Sequence, residues 1–166
     1  EMNIEGFTSC GDKLLFFNRA TTEQPNHVII TDYNILKKKF PDKFKILPIK
    51  MNALHNIPLG ISGACYDAKN DVLFLSASAE NTNNAYDDGE IIGSVLAMVE
   101  NASTKLNQPE LIIDNYVELD KTNEAFIQQK IESVCIHQQV NKQYKLTLVA
   151  DNDDGKSVLF EISLDL

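Results

Sequence analysis

The amino-acid sequence predicts an all-β fold made of three similar units, and three observations lead to this prediction. Short apolar runs alternate with polar residues as in half-buried strands, whereas helical periodicity is weak along the whole chain. Gly and Pro residues fall between these runs, where turns are expected. A repeated segment opens with Ile followed by a small or acidic pair, at Ile4, Ile61 and Ile131, and this indicates a constant unit with loops of different length.

The strands of each unit are predicted in the same order along the chain. The second strand alternates apolar residues, and the third strand follows at residues 28–31, 95–99 and 158–162. Units one and two continue into a fourth strand, at residues 44–49 and 110–117, whereas unit three does not. Only residues 34–40 and 121–130 could form short helical turns.

Four antiparallel strands within roughly 40–70 residues are typical of a blade of a β-propeller, a fold that closes about 4–8 blades into a ring. We therefore predict a single unit of three blades, at approximately residues 1–50, 58–118 and 128–166. Three blades cannot close a ring, and an open ring leaves sheet faces and edges in water. We expect either an N-terminal propeller half or a second copy of the chain to complete it. The alternative fold is a β-sandwich of about eleven strands.

Composition excludes several classes of partner. The net charge of −9 argues against nucleic acid, because binding phosphate requires clustered Lys and Arg. No window approaches the roughly 18 apolar residues of a membrane span, so the sequence predicts a soluble protein. Three cysteines without C-x-x-C spacing argue against a disulfide scaffold or a zinc site and favour a reducing compartment such as the cytoplasm. Cys65 and Cys135 occupy equivalent positions, where we expect buried, unbonded side chains.

One set of candidate site residues directly follows the Ile of each repeat: Glu5, Ser62 and Glu132. A charged side chain on an innermost strand is costly unless it faces a wet channel, a cation or a metal. Two interpretations remain open for the glutamates. They form a carboxylate ring that binds a metal ion or orients a ligand, or they accept backbone hydrogen bonds from the next blade.

A second set of candidates follows the second strand of each unit: Arg19, Ser78, Glu80, Asp151 and Asp153. Arg19 either pairs with a glutamate or binds an anionic ligand. The two aspartates are candidate metal ligands. However, the segment from Asp151 does not fit a calcium loop of the EF-hand type, because Gly155 is at position 5 and Ile162 at position 12. An Asp-Gly turn is the simpler interpretation.

The loop at residues 79–90 is rich in Asn, Asp and Tyr, and it adds Tyr86 and Asp87 to the candidate ligand-binding residues. The three histidines are dispersed, and no G-x-S-x-G, P-loop or G-x-G-x-x-G motif is present. The sequence therefore gives no indication of nucleophilic catalysis or nucleotide binding.

The segments "NIEGFTSCGDKLLFFNRA", "GISGACYDAKNDVLFLSASAENTNNAYDDGEIIGS" and "LTLVADNDDGKSVLFEISL" together resemble the C-terminal half of an uncharacterised bacterial family of six-bladed β-propellers related to phytase-like propellers. The resemblance covers nearly the whole chain and is most specific between Ala77 and Ser94. It implies a six-bladed ring. We expect a module that binds a small polar ligand, a divalent cation or a protein partner at the channel face. The alternative is a calcium-dependent phytase-like or esterase-like hydrolase, with Glu5, Glu132 and Asp151 as metal ligands.

Overall fold

The computed structural model describes residues 2–21, 24–37, 43–81, 89–152 and 155–166. These residues form an all-β structure, as the sequence predicts. The short helical elements among them are one α-helix, α1 (Ala102–Lys105), and three 3₁₀ turns at Tyr33–Leu36, Leu119–Lys121 and Glu124–Phe126. The turn at Glu124–Phe126 lies within the predicted segment 121–130, and the turn at Tyr33–Leu36 overlaps the predicted segment 34–40. Within the described parts of the chain, no helix is both long and apolar enough to span a membrane.

The strands form three sheets, one for each predicted unit. The first sheet contains β1 (Ile4–Cys10), β2 (Lys13–Asn18), β3 (His27–Asp32) and β4 (Lys45–Lys50). The second contains β5 (Leu59–Asp67), β6 (Val72–Asn81), β7 (Glu90–Glu100) and β9 (Asn115–Glu118). The third contains β10 (Ile131–Val140), β11 (Gln143–Asp151) and β12 (Ser157–Asp165), so the prediction of three strands in unit three is confirmed for the described residues.

The predicted strand at residues 110–117 is wrong in one respect, because it divides between two sheets. Its first part is β8 (Leu111–Ile112), which pairs in parallel with β4 and extends the first sheet to five strands. Its second part is β9, which pairs antiparallel with β7. The cause is burial, since the side chain of Leu111 is fully enclosed in the core that joins the first and second sheets.

The three sheets stack in chain order through two separate cores. Between the first and second sheets, Phe17 and Leu47 pack with Leu73 and Leu75. Between the second and third sheets, the packed side chains are Val72, Phe74, Met98, Tyr144, Leu146 and Leu148. Neighbouring residues of β6 thus face opposite cores, as the alternation of a strand requires. A stack of three sheets contradicts the alternative of a two-sheet sandwich.

The first strand of each sheet is an edge strand, and these strands pack in the order β1, β5, β10. The approach of β5 to β10 is close, because a Cβ atom on Gly63 would lie 2.8 Å from the Cα atom of Ser133. Cys65 and Cys135 lie on these two strands as free thiols. The expectation that both are buried is met only in part: Cys65 is half-buried, and Cys135 is exposed because no described sheet covers the far side of β10.

Candidate functional site

A β-bulge follows the repeat's Ile in the first strand of each of the three sheets. The pairing register shifts between Ile4 and Gly6 in β1, between residues 61 and 63 in β5, and between residues 131 and 133 in β10. The skipped residues are the candidates Glu5, Ser62 and Glu132. A bulge leaves its extra residue outside the ladder and changes the direction of the side chain, which explains how a glutamate fits on a strand that packs against the next sheet.

Four charged side chains from all three sheets meet at this end of the stack: Arg19, Glu80, Lys130 and Glu132, hereafter the charged cluster. Arg19 donates a hydrogen bond to Oε1 of Glu80, and its Nη1 lies 3.8 Å from Oε1 of Glu132. The ammonium group of Lys130 lies 3.8 Å from Oε2 of Glu80 and 3.5 Å from Oε1 of Glu132. Arg19 therefore pairs with the glutamates, which is the first of its two predicted roles.

The charged cluster is largely buried, with side-chain exposures of 13% for Arg19 and Lys130, 10% for Glu80 and 25% for Glu132. Arg19 reaches the cluster by crossing Gly60 at the start of the second sheet. A Cβ atom at residue 60 would lie 2.6 Å from Nε and 2.8 Å from Cγ of Arg19. The glycine at this position is required by the close passage of the arginine.

Glu132 is the least satisfied member of the charged cluster. Burial raises its pKa; Lys130 and Arg19 oppose the shift, and the charges of Glu5 and Glu80 add to it. Its Oε1 atom is buried and has no hydrogen-bonding partner among the described residues. The two cations near this atom are too distant or poorly aligned for a hydrogen bond, so Oε1 retains the capacity to accept one.

Ser62 and Ser78, predicted as ligand-binding residues, are each 1% exposed. Ser62 donates to the carbonyl oxygen of Ile131 and lies 3.1 Å from the hydroxyl of Ser76. Ser78 lies 2.7 Å from the hydroxyl of Ser94. Both hydroxyl groups are thus used inside the joint between the second and third sheets, which gives no support to a ligand-binding role.

Ser94 completes this buried hydroxyl network and was missed by the sequence analysis. Its hydroxyl donates to the carbonyl oxygen of Gln129 at 2.7 Å and accepts from the N–H of Ile131 at 3.2 Å. The network therefore fixes the chain as it enters β10. The spacing of Ser76 and Ser78 in a strand that is otherwise apolar was the available signal, because both residues face the third sheet. Lys130 had no such signal, because it lies outside the repeated motif.

The remaining candidates do not join the charged cluster. Glu5 is exposed and influences Glu132 through its charge. Asp151 is exposed at the same end of the stack, and its N–H donates to the carbonyl oxygen of Lys130 at 3.0 Å. Gly155 has a φ of +80°, which agrees with the predicted Asp-Gly turn. Three further candidates lie outside the described residues: Tyr86, Asp87 and Asp153.

A metal site gains no support from this arrangement. Within the described ranges, no group of three or more His, Cys, Asp or Glu side chains is placed to hold a metal ion. Glu132 is a predicted metal ligand, yet its carboxylate already lies beside Arg19 and Lys130. A calcium ion at this carboxylate would be repelled by both cations.

Comparisons with known proteins place the chain in a family without assigning a function. No curated protein and no solved structure matches it. Residues 1–164 match a family model described as "Family of unknown function (DUF6929)". Because that match covers nearly the whole chain, the protein belongs to the family of unknown function DUF6929.

Proposed function

We propose that the protein is a binding module built from three blades of a β-propeller, with a further blade covering the outer face of the first sheet. The observation that carries this proposal is a row of apolar side chains on that face: Phe7, Phe16, Ile29 and Ile46, hereafter the apolar row. These residues are paired across β1, β2, β3 and β4. Phe7 is 55% and Ile46 63% exposed, and the rings of Phe7 and Phe16 lie 5.0 Å apart.

Equivalent positions in the other two sheets are covered by the preceding sheet. In the second sheet, Ala64, Leu75 and Ala97 are paired in the same register and pack against the first sheet. In the third sheet, the equivalent residues are Val134, Leu148 and Phe160, which pack against the second sheet. The apolar row therefore resembles a joint that lacks its partner sheet, and exposed apolar patches of this kind mark interaction surfaces.

The edge of the third sheet supports the same proposal. No described strand pairs with the outer side of β12, whereas the first and second sheets each have a fourth strand. Unpaired edges of this kind are usually covered or paired in native proteins. In a closed ring, a strand from the completing segment would pair with β12.

We also propose that the charged cluster binds a small polar ligand at the channel face. Two cations and two carboxylates balance each other there, which favours an uncharged ligand with several hydroxyl groups over an ion. The unsatisfied Oε1 atom of Glu132 would accept a hydrogen bond from a hydroxyl group of such a ligand. This second proposal depends on the Oε1 atom of Glu132, so a separate experiment tests it.

The first experiment combines the intact mass of the native polypeptide with analytical ultracentrifugation of the 166-residue chain. We expect either a native chain much longer than 18.6 kDa or a self-associating chain of this length. The double variant Phe7→Ser/Ile46→Ser should weaken association with the missing half or the second copy. Val140→Ser is the matched control, because Val140 is also 51% exposed but lies on the third sheet. A native 18.6 kDa polypeptide that stays monomeric at high concentration would refute the propeller proposal.

The second experiment titrates the wild type and Glu132→Gln with glucose and calcium chloride by calorimetry. We expect glucose to bind the wild type and to lose affinity in the variant, and calcium to release no heat attributable to this cluster. If glucose gives no heat with either protein, or equal heat with both, the ligand role of Glu132 is wrong. The ultracentrifugation result is independent of this outcome.

The same variant also tests how Glu132 affects stability. Because the folded-state pKa of Glu132 is raised, the folded protein holds this proton more strongly than the unfolded chain. The wild type should therefore lose stability as pH rises from the ordinary value of 4.5 through the folded pKa. Glu132→Gln should remove this part of the pH dependence, measured as urea midpoints between pH 4 and pH 8. Parallel curves for both proteins would contradict the raised pKa.

A further inference from the structure

The outer edge of the third sheet differs from the other sheet edges that the structure describes. Edge strands in native proteins are often short or interrupted by a bulge, which discourages pairing with another chain. β8 and β9 have two and four residues, and β1, β5 and β10 each contain a bulge. β12 has nine residues, pairs with β11 over its whole length without a shift in register, and contains neither Pro nor Lys. Its outer edge is therefore open to a further strand.

Two corresponding valines differ in burial at this edge. Val95 in β7 and Val158 in β12 occupy equivalent positions in their sheets, and each pairs with an alanine of the preceding strand. Val95 is fully buried, and β9 pairs beside it through Glu118. Val158 is 38% exposed, and no described strand lies on its outer side. A fourth strand beside β12 would supply the burial that Val158 lacks.

The side of β12 that faces the second sheet has an incompletely covered apolar surface. Phe160 and Ile162 lie on this side and are half-buried. The ring of Phe160 lies against that of Phe126, with centroids 4.4 Å apart, and the next residue, Ile127, is 56% exposed. Apolar side chains of an added strand would gain free energy by covering this surface.

The opposite side of β12 is acidic. Leu159, Glu161 and Asp165 lie on this side and are exposed. Opposite charges on neighbouring strands stabilise their pairing, and like charges destabilise it. The β12 strand of a second copy would bring the same acidic residues to this edge, whereas a strand with Lys or Arg residues would be complementary to it. The edge therefore favours a basic partner over a second copy of this chain.

We propose that the outer edge of β12 binds an extended polypeptide segment that alternates apolar and basic residues. The segment would add as an antiparallel fourth strand, as β4 and β9 do in the other two sheets. Its apolar residues would cover Val158 and Phe160, and its Lys or Arg residues would lie beside Glu161. The same edge takes the completing strand in the proposed function, on which this inference rests, and the added element is the chemistry of that strand.

The experiment is an NMR titration of the 166-residue chain with a synthetic peptide of about ten residues that alternates valine and lysine. A peptide of the same composition, with all valines before all lysines, controls for general attraction to an acidic protein. We expect the alternating peptide to shift the amide signals of residues 157–164 and to slow their hydrogen exchange. The control peptide should bind more weakly, because in extended form it places lysines on the apolar side of the edge.

Charge reversal at Glu161 tests the proposed complementarity. Glu161→Lys should weaken binding of the alternating valine–lysine peptide about 5-fold, the upper range for one cross-strand ion pair. The same variant should strengthen binding of an alternating valine–glutamate peptide. Because Glu161 is exposed, the variant should fold like the wild type. Asp12→Lys is the matched control, because Asp12 is exposed at the turn between β1 and β2 and the change in net charge is the same; it should bind like the wild type.

Four results would overturn the proposal: no binding, equal binding of the two valine–lysine peptides, signal shifts confined to residues away from β12, or equal affinity in Glu161→Lys and the wild type. The double variant Phe7→Ser/Ile46→Ser should bind the alternating peptide like the wild type. Peptide binding to a native chain that stays an 18.6 kDa monomer would support this inference while the propeller proposal fails. Association through the apolar row without peptide binding would overturn this inference and leave the propeller proposal standing.

Discussion

The two outer faces of the stack differ in chemistry, although no described sheet covers either of them. The first sheet presents the apolar row. The outward side of the third sheet, hereafter the far face, mixes small or polar residues with two apolar ones at equivalent register positions: Ser133, Cys135, Thr147, Val149, Leu159 and Glu161. The positions that correspond to these in the first sheet include Leu15 and Phe17, which are fully buried against the second sheet.

This difference bears on what could cover the apolar row. If a second copy stacked on the first sheet head to tail, its far face would pack on the apolar row and bring Glu161 into an apolar joint. Burying a carboxylate without a partner costs more than apolar contacts of similar area gain. The comparison therefore favours, as the cover of the apolar row, a sheet face without a carboxylate at this position over the far face of a second copy.

The largest expected difference concerns the thiols. Cys135 is exposed on the far face, whereas burial raises the pKa of Cys65 to about 12. That shift from 9.0 reduces the thiolate of Cys65 about a thousandfold. With a thiol-specific disulfide reagent, we expect one fast thiol in the folded protein, lost in Cys135→Ser. Fast reaction of Cys65 in that variant would show that the joint between the second and third sheets opens readily.

The next effect compares the two sides of the third sheet. Leu148 is fully buried against the second sheet, and its neighbour Thr147 lies on the far face. Leu148→Ala should destabilise the protein by about 2–5 kcal/mol through lost burial and a cavity. Thr147→Ala should change stability by less than about 0.5 kcal/mol. Urea unfolding measures both, and similar losses would mean that the far face is covered as well.

A smaller loss is expected for the hydroxyl network inside the joint. Ser94→Ala should cost about 1–3 kcal/mol, because it leaves the N–H of Ile131 and the carbonyl of Gln129 without this partner. Ser133→Ala, on the far face, is the matched control and should have little effect. The same urea experiment applies. An unchanged urea midpoint for Ser94→Ala would show that the hydroxyl network does not contribute measurably to the stability of the protein.

The smallest effect is expected on the apolar row. Because Phe7 and Ile46 are mostly exposed, Phe7→Ser/Ile46→Ser should change the stability of the isolated chain by less than about 1 kcal/mol in total. Association should still weaken, as proposed above. A large loss of stability in the monomer would show that these side chains are packed within a single chain.

The repeat was readable from the sequence because alternation and the recurring Ile depend on local geometry. Strand order in each sheet followed from these signals, and only residues 110–117 departed from it. There the apolar character of Leu111 indicated a strand correctly but could not show which sheet would bury it. That choice depends on the space between two sheets, which no local pattern encodes.

The candidate site was readable in part for the same reason. Glu132, Arg19 and Glu80 stood out as charges at repeated positions, and the structure brings them together. Lys130 did not stand out, because its place is set by the turn before β10.

The bulge behind each Ile has a consequence for how relatives of this chain diverge. Its extra residue takes no part in the ladder, so replacing that residue leaves strand pairing intact while changing the side chain at this end of the stack. Glu5, Ser62 and Glu132 already show acidic and neutral side chains on one backbone geometry. At Glu5, which is exposed, such a replacement leaves the packing between sheets untouched, whereas Ser62 and Glu132 also make contacts between the second and third sheets and within the charged cluster.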